Sequence, residues 1–249
     1  MGLTGAGYNH FQRLGPRVLF HKDCARKMKK TLHMLVALAV ACGTAAIHAQ
    51  EVQGNVQAGE QKNAMCIGCH GIVGYQSSFP EVHKVPMISG QNAAYLASAL
   101  QAYLKGERKH PTMRGVAISL TEQDIADLSA YYAQHGKSGT ELPAAPKRQP
   151  DARVAALLQK GACVSCHGDN FAKPIDPSYP KIAGQHADYL FVALKSYKET
   201  GKNAYVGRSN GVMGAIAKQF SNAELKALAN YVSSLEGELK TVPESRFRK

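Results

Sequence analysis

Nowhere in the 249 residues is there a basic run dense enough to track a phosphate backbone, nor an aromatic platform beside one. Nucleic acid is therefore excluded as a partner. An uninterrupted apolar run of about 20 residues, the length a bilayer-crossing helix needs, is missing too. The longest candidate lies within Leu32–Gln50 and is bracketed by His33 and His48. Cysteine is scarce, six in the whole chain, and four of the six fall in two short clusters. Positive charge is in excess, a formal +12, but residues 1–49 hold seven Lys/Arg and one Asp. The remainder carries 23 Lys/Arg against 17 Asp/Glu, or +6, which suits mild steering of an acidic partner surface.

The clusters read Cys66-Ile-Gly-Cys69-His70 and Cys163-Val-Ser-Cys166-His167. In each, two thiols are spaced to add across the vinyl groups of one porphyrin, and the adjacent histidine is placed to coordinate its iron. A thioredoxin-like dithiol would not need the histidine, and zinc would want the four cysteines pooled instead of 97 positions apart. Two covalent haem c groups are the reading, with Cys66, Cys69, Cys163 and Cys166 as attachment residues and His70 and His167 as iron ligands.

Such thiols are normally handled outside the cytosol, and an export segment is present. Lys29 and Lys30 precede a short apolar stretch, with small residues near Ala46 and Ala49 where a peptidase could cut. The 27 residues before Met28 contain no apolar segment, so synthesis is expected to start at Met28. Cys42 offers a lipid-anchored alternative, although Ala39-Val40-Ala41 fits that pattern poorly. The expected location is the periplasm, with peripheral membrane association left open.

Beyond residue 50 the chain repeats itself. Pro86 to Leu96 is echoed by Pro180 to Leu190, and Leu120 to Tyr131 by Phe220 to Tyr231. The offsets are 97, 94 and 100 residues, so each half carries the same blocks in the same order. Thr121 with Asp124 and Ser221 with Glu224 look like capping boxes. Ile125, Leu128 and Tyr132, and Leu225, Leu228, Val232 and Leu235, then fall at helical spacing. Further helices are expected over 91–104 and 185–197, and over 57–66 and 152–163 leading into the cysteines. Residues 137–150, with three prolines and no apolar periodicity, read as a linker. The expected divisions are a 1–49 extension with signal peptide, domains over 50–136 and 151–238 about the 137–150 linker, and a 239–249 tail.

Methionine is the best candidate for the second axial iron ligand. Met113 and Met213 stand in polar loops, each seven residues before the final helical block, at an offset of 100. A thioether on iron favours the ferrous state over a second imidazole. Met65 and Met87 read as packing, since Lys181 replaces Met87 in the second half, and His110 is an alternative ligand to Met113. His83 and His186 read as surface or hydrogen-bonding residues, and Tyr95 and Tyr189 as packing at a haem edge or between the halves. Lys109, His110 and Arg114 around Met113 lead to the expectation that the first haem has the higher potential.

On Cys66, Cys69, His70 and Met113, on Cys163, Cys166, His167 and Met213, and on the Gly90-Gln91 and Gly184-Gln185 blocks, the chain resembles the cytochrome c4 family over nearly all of 50–238. The resemblance implies an all-α architecture of two tandem class I cytochrome c domains, each a small helical fold around a covalent haem. It also implies propionates facing the domain interface, and single-electron delivery from a quinol-oxidising complex or soluble donor to a terminal oxidase. No catalytic residue is expected, and the chain is read as not an enzyme. The alternatives are a haem-bearing subunit of a periplasmic dehydrogenase and, less favoured, a dihaem peroxidase, which would need an open iron position.

Overall fold

Asn55 opens the first helix by accepting a hydrogen bond from the Ala58 N–H on its side chain, and α1 runs Val56–Lys62. The computed structural model describes residues 52–243 except 138, 140, 200 and 202. The export segment, Cys42 and the last six residues lie outside these. At Asn63, 1% exposed, α1 stops and α2 (Ala64–His70) begins, bearing the first cysteine pair and histidine. One helix was expected over 57–66; two form, because asparagine favours caps over helix interiors.

Two short strands follow, β1 (Gln76–Ser77) and β2 (His83–Lys84), paired as an antiparallel hairpin. Next come α3 (Ala93–Lys105), β3 (Arg108–Lys109), α4 (Pro111–Ala117) and α5 (Glu122–Gln134). In the second half the series is α6 (Ala152–Lys160), α7 (Val164–His167), α8 (Ala187–Ser196), β4 (Gly207–Arg208), α9 (Gly211–Ala217) and α10 (Asn222–Ser233). Both capping boxes form as the sequence indicates, at Thr121/Asp124 and at Ser221/Glu224. The architecture is all-α in substance, two similar helical halves in tandem with only two-residue strands among the described residues.

The two methionines do not sit in loops. Each is in the first turn of a short helix, because His110 and Asn210 accept from the Met113 and Met213 N–H groups and start α4 and α9. Pro111 adds a fixed φ at the first position of α4.

Apolar burial makes one cluster per half. Ile67, Leu96, Leu128, Tyr131 and Tyr132 form the first; the second is larger, centred on Phe171, Leu225, Leu228 and Val232. Asp127, 2% exposed, ties the first half's entry segment down: its carboxylate accepts from the Asn55 N–H at 2.7 Å and from Lys62 Nζ at 2.6 Å. Gly90 and Gly184 both take left-handed backbone angles, φ 85° and 74°. Their N–H groups bond the Tyr132 and Val232 carbonyls, so the repeated Gly-Gln turn is fastened to the last helix of its own half.

Across the halves the contacts are reciprocal. Gln185 accepts from the Met87 N–H at 3.0 Å and donates to the Met87 carbonyl at 2.8 Å. Gln91 accepts from the Lys181 N–H at 2.9 Å and donates to the Lys181 carbonyl at 2.9 Å. Each buried glutamine thus clasps the residue after the repeated proline in the other half. Around this, β3 pairs antiparallel with β4, Glu81 meets Lys195 at 2.6 Å, and the Asp188 carboxylate accepts from the Lys84 N–H at 2.9 Å. The described residues of 137–150 are irregular and lie on the second half, where Asn170 donates to the Pro143 carbonyl and Tyr231 to that of Arg148. From the second half the chain then crosses to the first, where Lys240 N–H bonds the Ser89 carbonyl at 3.1 Å.

A Gln185→Ala substitution is expected to leave both backbone groups of Met87 without their partner and to lower unfolding free energy by about 1–3 kcal/mol. Denaturant unfolding of the haem-loaded protein measures this; an unchanged midpoint contradicts the clasp.

Candidate functional site

Between α2, the hairpin and α3 lies a largely apolar cavity of about 360 Å³. Cys66, Cys69, His70 and Met113 all line it, so the structure gathers the first four sequence-selected residues around one space. The cavity continues into the second half past Pro180, Ile182, Leu190 and Val206, without reaching Cys163, Cys166, His167 or Met213. That second set is held instead by the equivalent elements, α7 and α9, with all four side chains partly buried.

Both histidines are oriented by the same device. His70 Nδ1 lies 2.8 Å from the Pro86 carbonyl, and His167 Nδ1 lies 3.2 Å from that of Pro180. A carbonyl only accepts, so Nδ1 carries the proton and Nε2 is the nitrogen with a lone pair for a metal. Burial lowers the pKa of both imidazoles and keeps them neutral, as ligation requires. The repeated prolines were visible in the sequence, but their role was not: an acceptor carbonyl leaves no residue-type signature.

None of the four described cysteines is in a disulfide. Burial pushes the Cys66 thiol up to about 11 and raises that of Cys163, so neither resembles a low-pKa catalytic thiol.

A feature that the sequence did not reveal sits where the halves meet. Arg108, 9% exposed, donates from Nη2 to the Tyr189 hydroxyl at 2.6 Å and from Nη1 to the Tyr95 hydroxyl at 3.3 Å. Arg208 donates to the same Tyr189 oxygen at 3.2 Å, and the β3–β4 register sets the two arginines opposite each other. Among the described residues neither guanidinium has a carboxylate within ion-pair distance, and Arg108 Nε is buried without a partner. Burial raises the Tyr189 phenol, but the two cations outweigh it and draw the group down to about 8. A phenol titrating there is still largely neutral at pH 7. Two facing cations lining one cavity therefore call for an anion.

A covalent haem fits these residues: paired thiols, an imidazole with Nε2 available, a thioether, an apolar cavity and buried guanidiniums suited to the carboxylates at a haem edge.

Several minor expectations change. Met65, read as packing, is 54% exposed, because α2 turns it outward. His83 is buried at 5% with Nδ1 2.8 Å from the Lys84 carbonyl, in line with a hydrogen-bonding role, whereas His186 is a half-buried cap of α8. Tyr95 and Tyr189 do stand between the halves. Of the charges behind the higher first potential, that of His110 is absent and the Lys109 ammonium is engaged by backbone carbonyls. Lys109 reaches the carbonyls of Gly201 and Asn203, and His110 is held neutral, its pKa lowered to about 4 chiefly by burial. Arg114, the third of those charges, stays on α4 one residue from Met113.

Two helical halves, each presenting two thiols, an imidazole and a thioether, define a tandem class I cytochrome c. The cytochrome c family model matches residues 152–236. Cytochrome c4 of Stutzerimonas stutzeri is 32% identical over 215 residues, covering 81% of this chain and 98% of that protein. A protein described as a thiosulfate dehydrogenase electron acceptor, from Stutzerimonas stutzeri strain A1501, is 28% identical over 219 residues, covering 83% and 96%. The crystal structure of reduced recombinant cytochrome c4 from Pseudomonas stutzeri aligns with a TM-score of 0.53 at 26% identity, covering 74% of this chain and all of that one. The chain belongs to the cytochrome c4 family, and as a member it is an electron-transfer protein with two covalently bound haem c groups.

The cap geometry also differs between the halves, the Met213 N–H standing 2.9 Å from Asn210 Oδ1 and the Met113 N–H 3.4 Å from His110 Nδ1. His110→Ala is expected to destabilise the haem-loaded protein by about 1 kcal/mol and His110→Asn to restore it. Thermal or denaturant unfolding decides; equal stability of all three forms contradicts a capping role.

Proposed function

We propose that the protein carries single electrons in the periplasm between respiratory donors, such as a quinol-oxidising complex or a soluble carrier, and a terminal oxidase or similar acceptor. Cys66 and Cys69 attach one haem and Cys163 and Cys166 the other. His70 with Met113, and His167 with Met213, would hold the two irons. The domains are 50–136 and 151–238, joined by the 137–150 linker. The observation that carries this reading is the repeated histidine–proline carbonyl bond, which presents Nε2 of His70 and His167 in the same manner in both halves.

A haem c group, when bound, supplies a reversible one-electron iron couple. The chain's own part is to position and insulate. Pro86 and Pro180 fix each imidazole tautomer, and α4 and α9 bring up the thioethers. Arg108 and Arg208 would offset the haem carboxylates, and the apolar clusters keep the surroundings low in dielectric. Nothing in this arrangement requires a side chain to act as acid, base or nucleophile.

The similarity to the thiosulfate dehydrogenase electron acceptor supports a second reading, service to a periplasmic dehydrogenase, with the same two domains and a different donor. Co-purification with a larger catalytic chain would favour it.

Met113→His and Met213→His are each expected to lower one of two potentials in a redox titration, since imidazole favours ferric iron more than a thioether does. A variant that leaves both waves in place rejects that methionine as a ligand. Arg108→Gln is expected to lower a potential by removing a buried cation from the cavity lined by His70 and Met113, with Arg108→Lys restoring most of it. An unchanged titration in Arg108→Gln contradicts the charge role.

A further inference from the structure

The peptide group that fixes each histidine has a second partner, and that partner belongs to the other half. The Pro86 carbonyl and the Met87 N–H are two ends of one planar peptide unit. His70 Nδ1 donates to the carbonyl end at 2.8 Å, while the N–H end donates to Gln185 Oε1 at 3.0 Å. In the second half His167 Nδ1 donates to the Pro180 carbonyl at 3.2 Å, and the Lys181 N–H donates to Gln91 Oε1 at 2.9 Å. Each imidazole therefore starts a chain, imidazole to peptide to amide, that ends on a glutamine across the interface.

Which end of each amide meets that N–H is settled by its other contacts. Gln185 Oε1 also accepts from the His186 N–H at 3.0 Å, and its Nε2 donates to the Met87 carbonyl at 2.8 Å. Gln91 Oε1 likewise accepts from the Asn92 N–H at 2.9 Å, and its Nε2 donates to the Lys181 carbonyl at 2.9 Å. A flipped amide would set its NH2 against N–H groups and its oxygen against a carbonyl, so the oxygen is held toward the peptide. Both glutamines are 4% exposed, where water competes little and one hydrogen bond polarises the next most effectively. The clasped residue is methionine in one half and lysine in the other, so the glutamine reads backbone, not side chain.

We propose that Gln185 and Gln91 are positioning residues, each tuning the iron of the opposite half through that half's histidine. The proposal rests on the axial-ligand reading above. A peptide whose N–H is donated to an acceptor carries more negative charge on its carbonyl oxygen, which then accepts more strongly from Nδ1–H and raises the donor strength of Nε2. A more basic imidazole stabilises ferric over ferrous iron. Each glutamine therefore lowers the potential of the iron across the interface, and because the two bonds cross, the association of the halves is written into both potentials.

A cross-half bond that leaves these two peptides alone should not have this effect. Asn92 supplies one: its Nδ2 donates to the Tyr179 carbonyl at 3.0 Å, also between the halves and also without charge. That carbonyl belongs to the preceding peptide, which has no N–H because Pro180 follows. Removing the Asn92 amide thus takes away interface without touching either chain to a histidine.

The test is a redox titration of the haem-loaded protein, with Met113→His and Met213→His assigning the two waves. Gln185→Leu is expected to raise the wave that Met113→His displaces and to leave the other in place; Gln91→Leu is expected to raise the wave that Met213→His displaces. Both substitutions keep the net charge, and Asn92→Ala should move neither wave. In the reduced protein, NMR of the histidine ring N–H should show the His70 Nδ1–H resonance moving upfield in Gln185→Leu, as its hydrogen bond weakens, and that of His167 in Gln91→Leu. Unmoved waves, a shift confined to the glutamine's own half, equal shifts of both waves, or a raised wave with an unmoved ring N–H resonance each overturn the proposal. The last would mean that the amide dipole acts directly and not through the histidine. Loss of folding in one glutamine variant leaves the other to decide. If neither Met→His variant displaces a wave, the axial-ligand reading fails and this proposal with it, whereas normal displacement beside unmoved glutamine variants rejects the glutamine role alone.

Discussion

The bond between His70 Nδ1 and the Pro86 carbonyl, with its counterpart at His167 and Pro180, is the contact around which the molecule is organised. The proline segment serves two directions at once. Its carbonyl fixes the imidazole of its own half, and its next residue is held on both backbone groups by a glutamine from the other half. Ligand orientation and domain association are therefore parts of one construction, and movement between the halves would be felt at each histidine.

The arginine–tyrosine cluster extends that coupling. Two guanidiniums facing each other, mostly out of water, are unfavourable unless anions offset them, and among the described residues they are bonded by phenols and by no carboxylate. Such a cluster makes sense in a protein whose cofactors bring their own carboxylates. Its position on β3 and β4 means that both halves must be assembled before either arginine finds its full set of partners.

Caps, Gly-Gln turns, proline carbonyls and methionine helices are kept in both halves, while buried Asn63 and half-buried Val56 in one become exposed Lys160 and Arg153 in the other. Interior positions answer to a common packing problem set by a flat cofactor.

Sequence alone determined the cofactor, the duplication and the long helices, because each is encoded by neighbours in the chain: Cys66, Cys69 and His70 within one turn, Thr121 with Asp124, Ser221 with Glu224, apolar residues at helical spacing. It placed Met113 and Met213 in register but read their surroundings as loops, since a seven-residue helix begun by a histidine or asparagine cap has too little periodicity to stand out. Asn63, which divides the expected entry helix, was equally silent. Only the tertiary structure decided the glutamine clasps, the proline carbonyl acceptors and the facing of Arg108 with Arg208. Those interactions join positions that, across the halves, lie 81 to 100 residues apart, and no local pattern of residue types records which distant carbonyl, hydroxyl or cation a side chain will meet.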